Sequence, residues 1–285
     1  MQLESFKILH ISGHHLLPEA QCLFAGIAPY SCLQAVLEHA AQTSVKLDLT
    51  YDAIVCTGDI VHDVVSSHDH LADAYELFIQ ALRSQYPQTP VYLCPGNHDP
   101  LDLFAQLVQH AHFEPAKLVA QVNQAVVINL NQYWNLILLN SQLPTQVGGE
   151  LTQEQCTFIQ ELVVSQPDKH VLLALHHNPL PTGCAWLDSY DFKGVDKFWQ
   201  KVQALEAIKG IVHGHIHQDI ISMVGNTKVM AVPATSIQFK PHAVDFALDE
   251  LAPGYRILSL EANGTIEQQL YRLDVVPSVE PITGY

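Results

Sequence analysis

Five short polar clusters in this chain each begin where an apolar run ends. They are Gly13-His14-His15, Gly58-Asp59, Gly96-Asn97-His98-Asp99, His176-His177-Asn178 and His213-Gly214-His215-Ile216-His217. Within them His15, Asp59, Asn97, His176, His215 and His217 make a set of imidazole, carboxylate and carbonyl donors with no thiolate. Such a set suits Mn, Fe or Zn in a reactive site better than a structural Zn–Cys site. In an extended segment His215 and His217 project to the same side, so they can serve one ion or two adjacent ions. A carboxylate such as Asp59 can bridge the pair.

These residues act together only if the elements carrying them end at one place. Short β-branched, apolar runs at 7–12, 53–57, 91–94, 126–130, 136–139, 171–175, 210–213, 228–232, 255–260 and 266–273 read as strands. Helical patterns occupy 32–42, 69–84, 101–110, 153–164 and 195–207, the fourth with a capping box of Thr152 and Gln155. Runs that are apolar throughout imply strands buried on both faces, hence sheets covered by helices. Asn263-Gly264 between the last two runs signals a hairpin, which makes the architecture mixed. In open α/β sheets ligands bind at the carboxyl ends of the strands. Parallel neighbours would therefore bring all five clusters to one rim. A lone histidine after a strand is usually a surface or capping residue; five clusters at equivalent ends are not explained that way. Gly58, Gly96 and Gly214 fall at strand exits, where positive φ or close approach to an ion calls for glycine. There is no repeat and no linker, so residues 1–285 are expected to form one domain, with the hairpin and tail from 255 to 285 packed on it.

The bulk properties exclude several classes. The formal net charge of −16 opposes binding of a nucleic acid polymer. A small phosphate ester can still bind where metal ions reverse the local sign. No apolar run reaches the roughly 20 residues of a membrane helix, and Met1-Gln2-Leu3-Glu4-Ser5 lacks the order of a signal peptide. A cytoplasmic protein with no membrane partner is expected. The six cysteines show no CxxC spacing and read as free, buried thiols.

At the polar clusters the sequence resembles the calcineurin-like metallophosphoesterases, whose pattern is DxH, GD, GNH, a lone His and GHxH. Gly58-Asp59, Gly96-Asn97-His98, His176 and Gly214-His215-Ile216-His217 match in order. Across nearly the whole length it is similar to the bacterial class III cyclic-AMP phosphodiesterases. Pro95-Gly96-Asn97-His98-Asp99, Asn178-Pro179-Leu180-Pro181, Gly183-Cys184-Ala185-Trp186-Leu187-Asp188, Gly214-His215-Ile216-His217-Gln218, Gln238-Phe239-Lys240-Pro241-His242 and the ending Gly284-Tyr285 carry that likeness. The resemblance implies a four-layer α/β/β/α sandwich of two mixed sheets, with two ions on its rim. His15, Asp59 and His217 would hold one ion; Asp59, Asn97, His176 and His215 would hold the other. Fe, Mn or Zn would fill them. His98 would stand beside the ions, close to the leaving group, and Asn97 with it would touch the substrate. The departure is Gly13, where the pattern has Asp. The first site then keeps three protein ligands and is expected to fill weakly or stay empty.

The implied reaction is hydrolysis of cyclic AMP to 5′-AMP: water activated at the ions attacks phosphorus in line with the departing oxygen, and His98 protonates or stabilises that oxygen. A broader phosphodiesterase or phosphatase, and a catalytically weak nucleotide-binding protein, are the alternatives. Relatives of this size also suggest a homodimer. Trp186 could stack on a nucleobase or pack on apolar neighbours. Asp63 could orient His98 or face solvent. His177 is expected beside the ligands. Asp99 is expected to cap the following helix, and Ser12 and Cys94 to be core or turn residues. His10, His68, His70, His110, His112 and His213 read as surface or satisfied core groups. His14, Asp188 and Asp191 are weak candidates to replace the missing carboxylate, and Lys240 and His242 to approach the phosphate.

Overall fold

The computed structural model describes residues 5–63, 68–109, 118–122 and 125–282. In chain order the first half comprises β1 (Phe6–Ile11), α1 (Pro29–Lys46), β2 (Ala53–Cys56), α2 (His68–Gln85), β3 (Val91–Leu93), α3 (Leu101–Gln109), β4 (Leu118–Val122), β5 (Ala125–Asn129), β6 (Trp134–Leu139) and β7 (Gly149–Glu150). There follow α4 (Gln153–Ser165), β8 (His170–Ala174), α5 (Ala185–Asp188), β9 (Phe192–Lys193), α6 (Val195–Val202), β10 (Ile208–His213), β11 (Ile221–Val224), β12 (Thr227–Ala231), β13 (Gln238–Phe239), β14 (Leu248–Asp249), β15 (Gly254–Leu260) and β16 (Ile266–Arg272).

Two sheets dominate. One has the order β16-β15-β1-β2-β3, the other β11-β12-β10-β8-β6-β5-β4. Both are mixed: β1, β2 and β3 run parallel, as do β6, β8, β10 and β12, while the flanking strands are antiparallel. Three apolar cores separate four layers. Leu33, Val36 and Leu37 of α1 and Phe78 of α2 cover Leu9 and Ile54 of the first sheet. Ile8, Val55 and Leu258 face Trp134, Leu136, Leu172 and Val212 between the sheets. Ile159 of α4 and Phe198 of α6 cover Ile137, Leu173 and Ile211 on the far side. This is the expected four-layer sandwich, and it explains the unbroken apolar runs. Every residue of β2 and of β6 is buried because each strand has a neighbouring layer on both faces.

Local chemistry sets several boundaries. Thr152 Oγ1 accepts from Gln155 N and Gln155 Oε1 accepts from Thr152 N, closing the capping box of α4. Pro29 opens α1, where its missing N–H is harmless. The expected helix over 195–207 stops at Val202, because Leu205 N turns back to Val202 O and Ile208 N to Leu205 O, delivering the chain into β10. The short strands β7, β9, β13 and β14 were not legible; each is a two-residue pairing set by a distant partner. No helix among the described residues is long and apolar enough to cross a membrane.

Candidate active site

The parallel strands β1, β2, β3, β8 and β10 deliver the five polar clusters to one rim. Backbone bonds lock the exits together: Gly13 N donates to Gly58 O, His14 N to Asp59 O, and Gly214 N to His176 O, at 2.8–3.1 Å. The glycines permit this closeness. A Cβ on Gly96 would lie 2.2 Å from Asp59 Oδ1, and one on Gly214 would lie 2.0 Å from Ser12 Oγ. His15, Asp59, His215 and His217 all adopt left-handed backbone, with φ of 49°, 53°, 67° and 49°. Each such residue costs about 1–3 kcal/mol, which the surrounding structure must offset.

The side chains form two donor groups around one carboxylate oxygen. His15 Nε2 lies 3.1 Å from His217 Nε2 and 3.6 Å from Asp59 Oδ2. His176 Nε2 lies 3.1 Å from the same Oδ2, 3.1 Å from Asn97 Oδ1 and 3.2 Å from His215 Nδ1, which in turn is 3.0 Å from Asn97 Oδ1. His15, Asp59 and His217, and again Asp59, His176 and His215, bring potential ligand atoms within 4.8 Å of one another. His215 and His217 thus belong to neighbouring groups rather than to one.

The rings are oriented for this task. His176 Nδ1 donates to Thr57 O at 2.6 Å, and His217 Nδ1 donates to Ile237 O at 2.8 Å. Their Nε2 lone pairs therefore face inward. Burial lowers the pKa of His15 and His215 well below 6.5 and that of His217 to about 3, so neutral imidazoles face one another. Burial pushes Asp59 up, but His176, His98 and His15 outweigh it and hold the carboxyl well below the usual range.

Asp59 Oδ2 is buried and outside any hydrogen bond. His217 Nε2 and Asp59 Oδ2, both acceptors, lie 3.1 and 3.6 Å from His15 Nε2, an arrangement satisfied by a proton on His15 Nε2 or by a cation among the three. Such separations match ligands sharing an ion at about 2.0–2.2 Å. The residues present fit two ions with Asp59 between them.

His98 stands against this cluster. Its ring centroid is 5.1 Å from that of His15, and its backbone N donates to Asp59 Oδ1 at 3.0 Å. Its Nδ1 lies 2.8 Å from Asp63 Oδ1, so Asp63 orients the ring. Burial opposes protonation of His98, yet Asp59 and Asp63 prevail and raise its pKa.

Asp99 is not the cap expected for α3. Its buried carboxylate accepts from Gly96 N at 2.8 Å, Ile60 N at 3.0 Å, Val61 N at 3.3 Å and Tyr75 Oη at 3.0 Å. It ties the loop after β2 to the loop after β3, because four donors outcompete a helix end. Burial, with Asp59 nearby, raises its pKa to about 6. Gln142, which the sequence did not single out, clamps the same loop from the segment that follows β6: its amide donates to Gly96 O and Asp99 O at 2.8 Å each. His62 was also missed. It is buried, with Nδ1 3.3 Å from His15 Nδ1. Its position three residues after Asp59, in a loop already assigned to the site, was the available signal.

The remaining candidates find other roles. His177 lies beside His176 and His215 and is bonded to Ser141 Oγ and Val147 O. Trp186 packs edge-on against Phe239 and Phe246. Ser12 donates to Thr57 O, and Cys94 is buried. His10 bonds Thr57 Oγ1, and His213 bonds Gly214 O. Lys240, His242 and His70 are exposed. His110, His112 and the Gly284-Tyr285 ending lie outside the described residues.

Among the described residues none replaces the carboxylate absent at Gly13. His14 spends Nδ1 on Thr235 Oγ1 at 2.7 Å and Nε2 on Cys56 Sγ at 3.2 Å. Asp188 serves Thr182 and Gly183, and Asp191 is exposed. A Cβ on Gly13 would sit 2.9 Å from His217 Nε2, so a side chain there would enter the first donor group.

The layers and this rim define a calcineurin-like phosphoesterase. The model of that family matches residues 6–219, and the chain belongs to the family. More particularly, it is 35% identical over 269 residues to the 3′,5′-cyclic adenosine monophosphate phosphodiesterase CpdA of Vibrio vulnificus strain CMCP6, covering 94% of this chain and 90% of that one. It is 33% identical over 267 residues to the protein of the same description from Escherichia coli K12, with the same coverage. A dimetal phosphatase from Danio rerio shares the fold, with a TM-score of 0.60, 13% identity and coverage of 94% of this chain and 98% of that one. The protein is an enzyme of this metal-dependent phosphoesterase family, whose members use a dinuclear site.

Proposed function

We propose that this enzyme hydrolyses cyclic AMP to 5′-AMP, with His15, Asp59 and His217 as ligands of one ion and Asp59, Asn97, His176 and His215 as ligands of the other. The observation that carries the reading is the pair of donor groups meeting at Asp59 Oδ2, with His98 beside them. The likeness to the two CpdA proteins supports the substrate. Mn or Fe, with Zn as a further choice, suits the mixed nitrogen and oxygen donors. A small nucleotide partner, a cytoplasmic setting, a homodimer and a single domain over 1–285 belong to the same proposal.

Bound ions would lower the pKa of attacking water and neutralise charge on the phosphoryl oxygens. The chain's own residues do the rest. Asp59, His176 and His217 are pre-aimed by their neighbours, so little reorganisation accompanies reaction. Asn97 and His98 face the substrate. His98, whose pKa Asp59 and Asp63 raise, is placed to give its proton to the departing ribose oxygen.

A second reading rests on Gly13. Three protein ligands can still make a catalytic site, but one carboxylate fewer weakens the first ion. A protein that binds the cyclic nucleotide without turning it over would follow. Side-by-side rates on cyclic AMP and a simple aryl phosphate, with Mn added, test both. Turnover of cyclic AMP above the aryl ester supports the first reading. Tight binding without turnover supports the second.

A further inference from the structure

His15 has a ring nitrogen on each side, and each side meets a different set of donors. Its Nε2 faces Asp59 and His217. Its Nδ1 faces His62 Nδ1 at 3.3 Å. His15, His62 and His98 bring one potential ligand atom each to within 4.8 Å of the others, and all three are buried. His62 is held in place by Phe24, whose ring centroid is 4.2 Å away, and by His98 at 5.1 Å.

We infer that His15, His62 and His98 form a separate, inhibitory Zn²⁺ site that competes with the first catalytic ion for His15. The chemistry of imidazole makes the two positions alternatives. A neutral ring has one N–H and one lone pair. An ion at His15 Nε2 leaves the proton on Nδ1, where it can be donated to His62. An ion at Nδ1 leaves the proton on Nε2, where it is donated towards His217 or Asp59. One ring therefore serves one ion or the other, with no net proton change.

The donor set selects the metal. Three imidazoles, with His98 releasing its Nε2 proton as the ion binds, favour Zn²⁺ over Mn²⁺, which prefers carboxylate and carbonyl oxygen. Gly13 strengthens the competition, because the first catalytic group lacks a carboxylate that would otherwise hold its ion. The consequence for activity rests on the proposed function. Zn²⁺ at this place removes a ligand from the first ion and occupies His98 Nε2, the nitrogen opposite the Asp63 bond.

The test counts ions as well as turnover, using the whole chain freed of metal. The exchange His217→Ala removes the first catalytic position but spares the three-histidine set. Equilibrium dialysis against Zn²⁺ should find two ions in His217→Ala, one in His217→Ala/His62→Phe and one in His15→Ala. Phe keeps the ring packing against Phe24 while removing both nitrogens. If the double variant fails to fold by circular dichroism, His217→Ala/His62→Gln replaces it, with Zn²⁺ expected to bind at least about 10-fold more weakly, since loss even of an outer partner costs that much. One ion in His217→Ala, or two in the double variant, overturns the site. In parallel, excess Zn²⁺ should suppress Mn-supported turnover of the unmodified protein and suppress that of His62→Phe far less; equal suppression overturns the inhibitory role. Should the unmodified protein cleave no phosphodiester, the proposed function fails while the ion count still judges the site.

Discussion

The carboxylate of Asp63 accepts a hydrogen bond from His98 Nδ1 at 2.8 Å, which turns Nε2 of that ring towards the donor cluster. An ionised carboxylate can only accept, so the bond also fixes which nitrogen carries the neutral ring's proton. Exchange of His98 for Ala should reduce kcat by about 10²- to 10⁴-fold on a substrate with an alkoxide leaving group. The deficit should shrink on an aryl ester, whose leaving group needs no proton. Equal deficits on both substrates would remove His98 from proton transfer. In Asp63→Asn a contribution that raises the His98 pKa is lost. The acid is needed protonated, so the alkaline limb of the kcat profile should move to lower pH.

Gly13 can be refilled, though not by one exchange alone. Its φ of 60° lies in the left-handed region, which Asp tolerates better than most residues. A Cβ there would, however, lie 2.8 Å from Ala234 Cβ, an atom with no freedom to swing away. Gly13→Asp with Ala234→Gly should therefore bind the first ion at least about 10-fold more tightly than the parent. Gly13→Asp alone should gain less. Metal content by mass spectrometry after dialysis, with cyclic-AMP turnover, checks both.

Gln142 reaches Gly96 O and Asp99 O with one amide, and so holds the loop carrying Asn97 and His98. Gln142→Ala removes the side-chain donor from both carbonyls and leaves Gly96 O with Asp99 N alone. Unfolding free energy in urea should fall by about 1–3 kcal/mol, and affinity for the second ion should fall as well. Unchanged metal binding alongside reduced stability would confine Gln142 to a packing role.

Acid should weaken the metal-free fold through its buried neutral histidines. The pKa of His14 falls from 6.5 to about 3, mainly by burial. As pH drops, the unfolded chain takes up the proton first. The stability that His14 contributes is whole above about 6.5 and is lost between about 6.5 and 3. Within that window the loss is about 1.4 kcal/mol per pH unit for each such group. Urea titrations at pH 7 and pH 5 should show it, and His14→Gln should flatten the dependence.

Much of the site was written in local order. The runs ending at Ile11, Cys56, Leu93, Ala174 and His213 are apolar because each strand is covered on both faces, and glycine follows where backbones must nearly touch. Those signals are local, so the six candidate donors and helix-covered sheets could be read from them; the four-layer arrangement came from the family resemblance. Asp99 was misassigned because its partners, Ile60, Val61 and Tyr75, come from elements distant in sequence. Trp186 was left open for the same reason; only its contact with Phe239 and Phe246 shows where it packs.

The sequence by itself determined which candidate donor side chains this protein has and at which strand ends they stand. Tertiary structure alone decided how they are shared: that His217 pairs with His15 while His215 pairs with His176, and that Asp59 Oδ2 lies between them. It alone placed His62 against the far nitrogen of His15 and Gln142 over the loop after β3. The physical reason is range. Propensity, periodicity and turn chemistry act over a few residues, whereas each of these contacts joins two strand ends or loops that meet only after both sheets have packed.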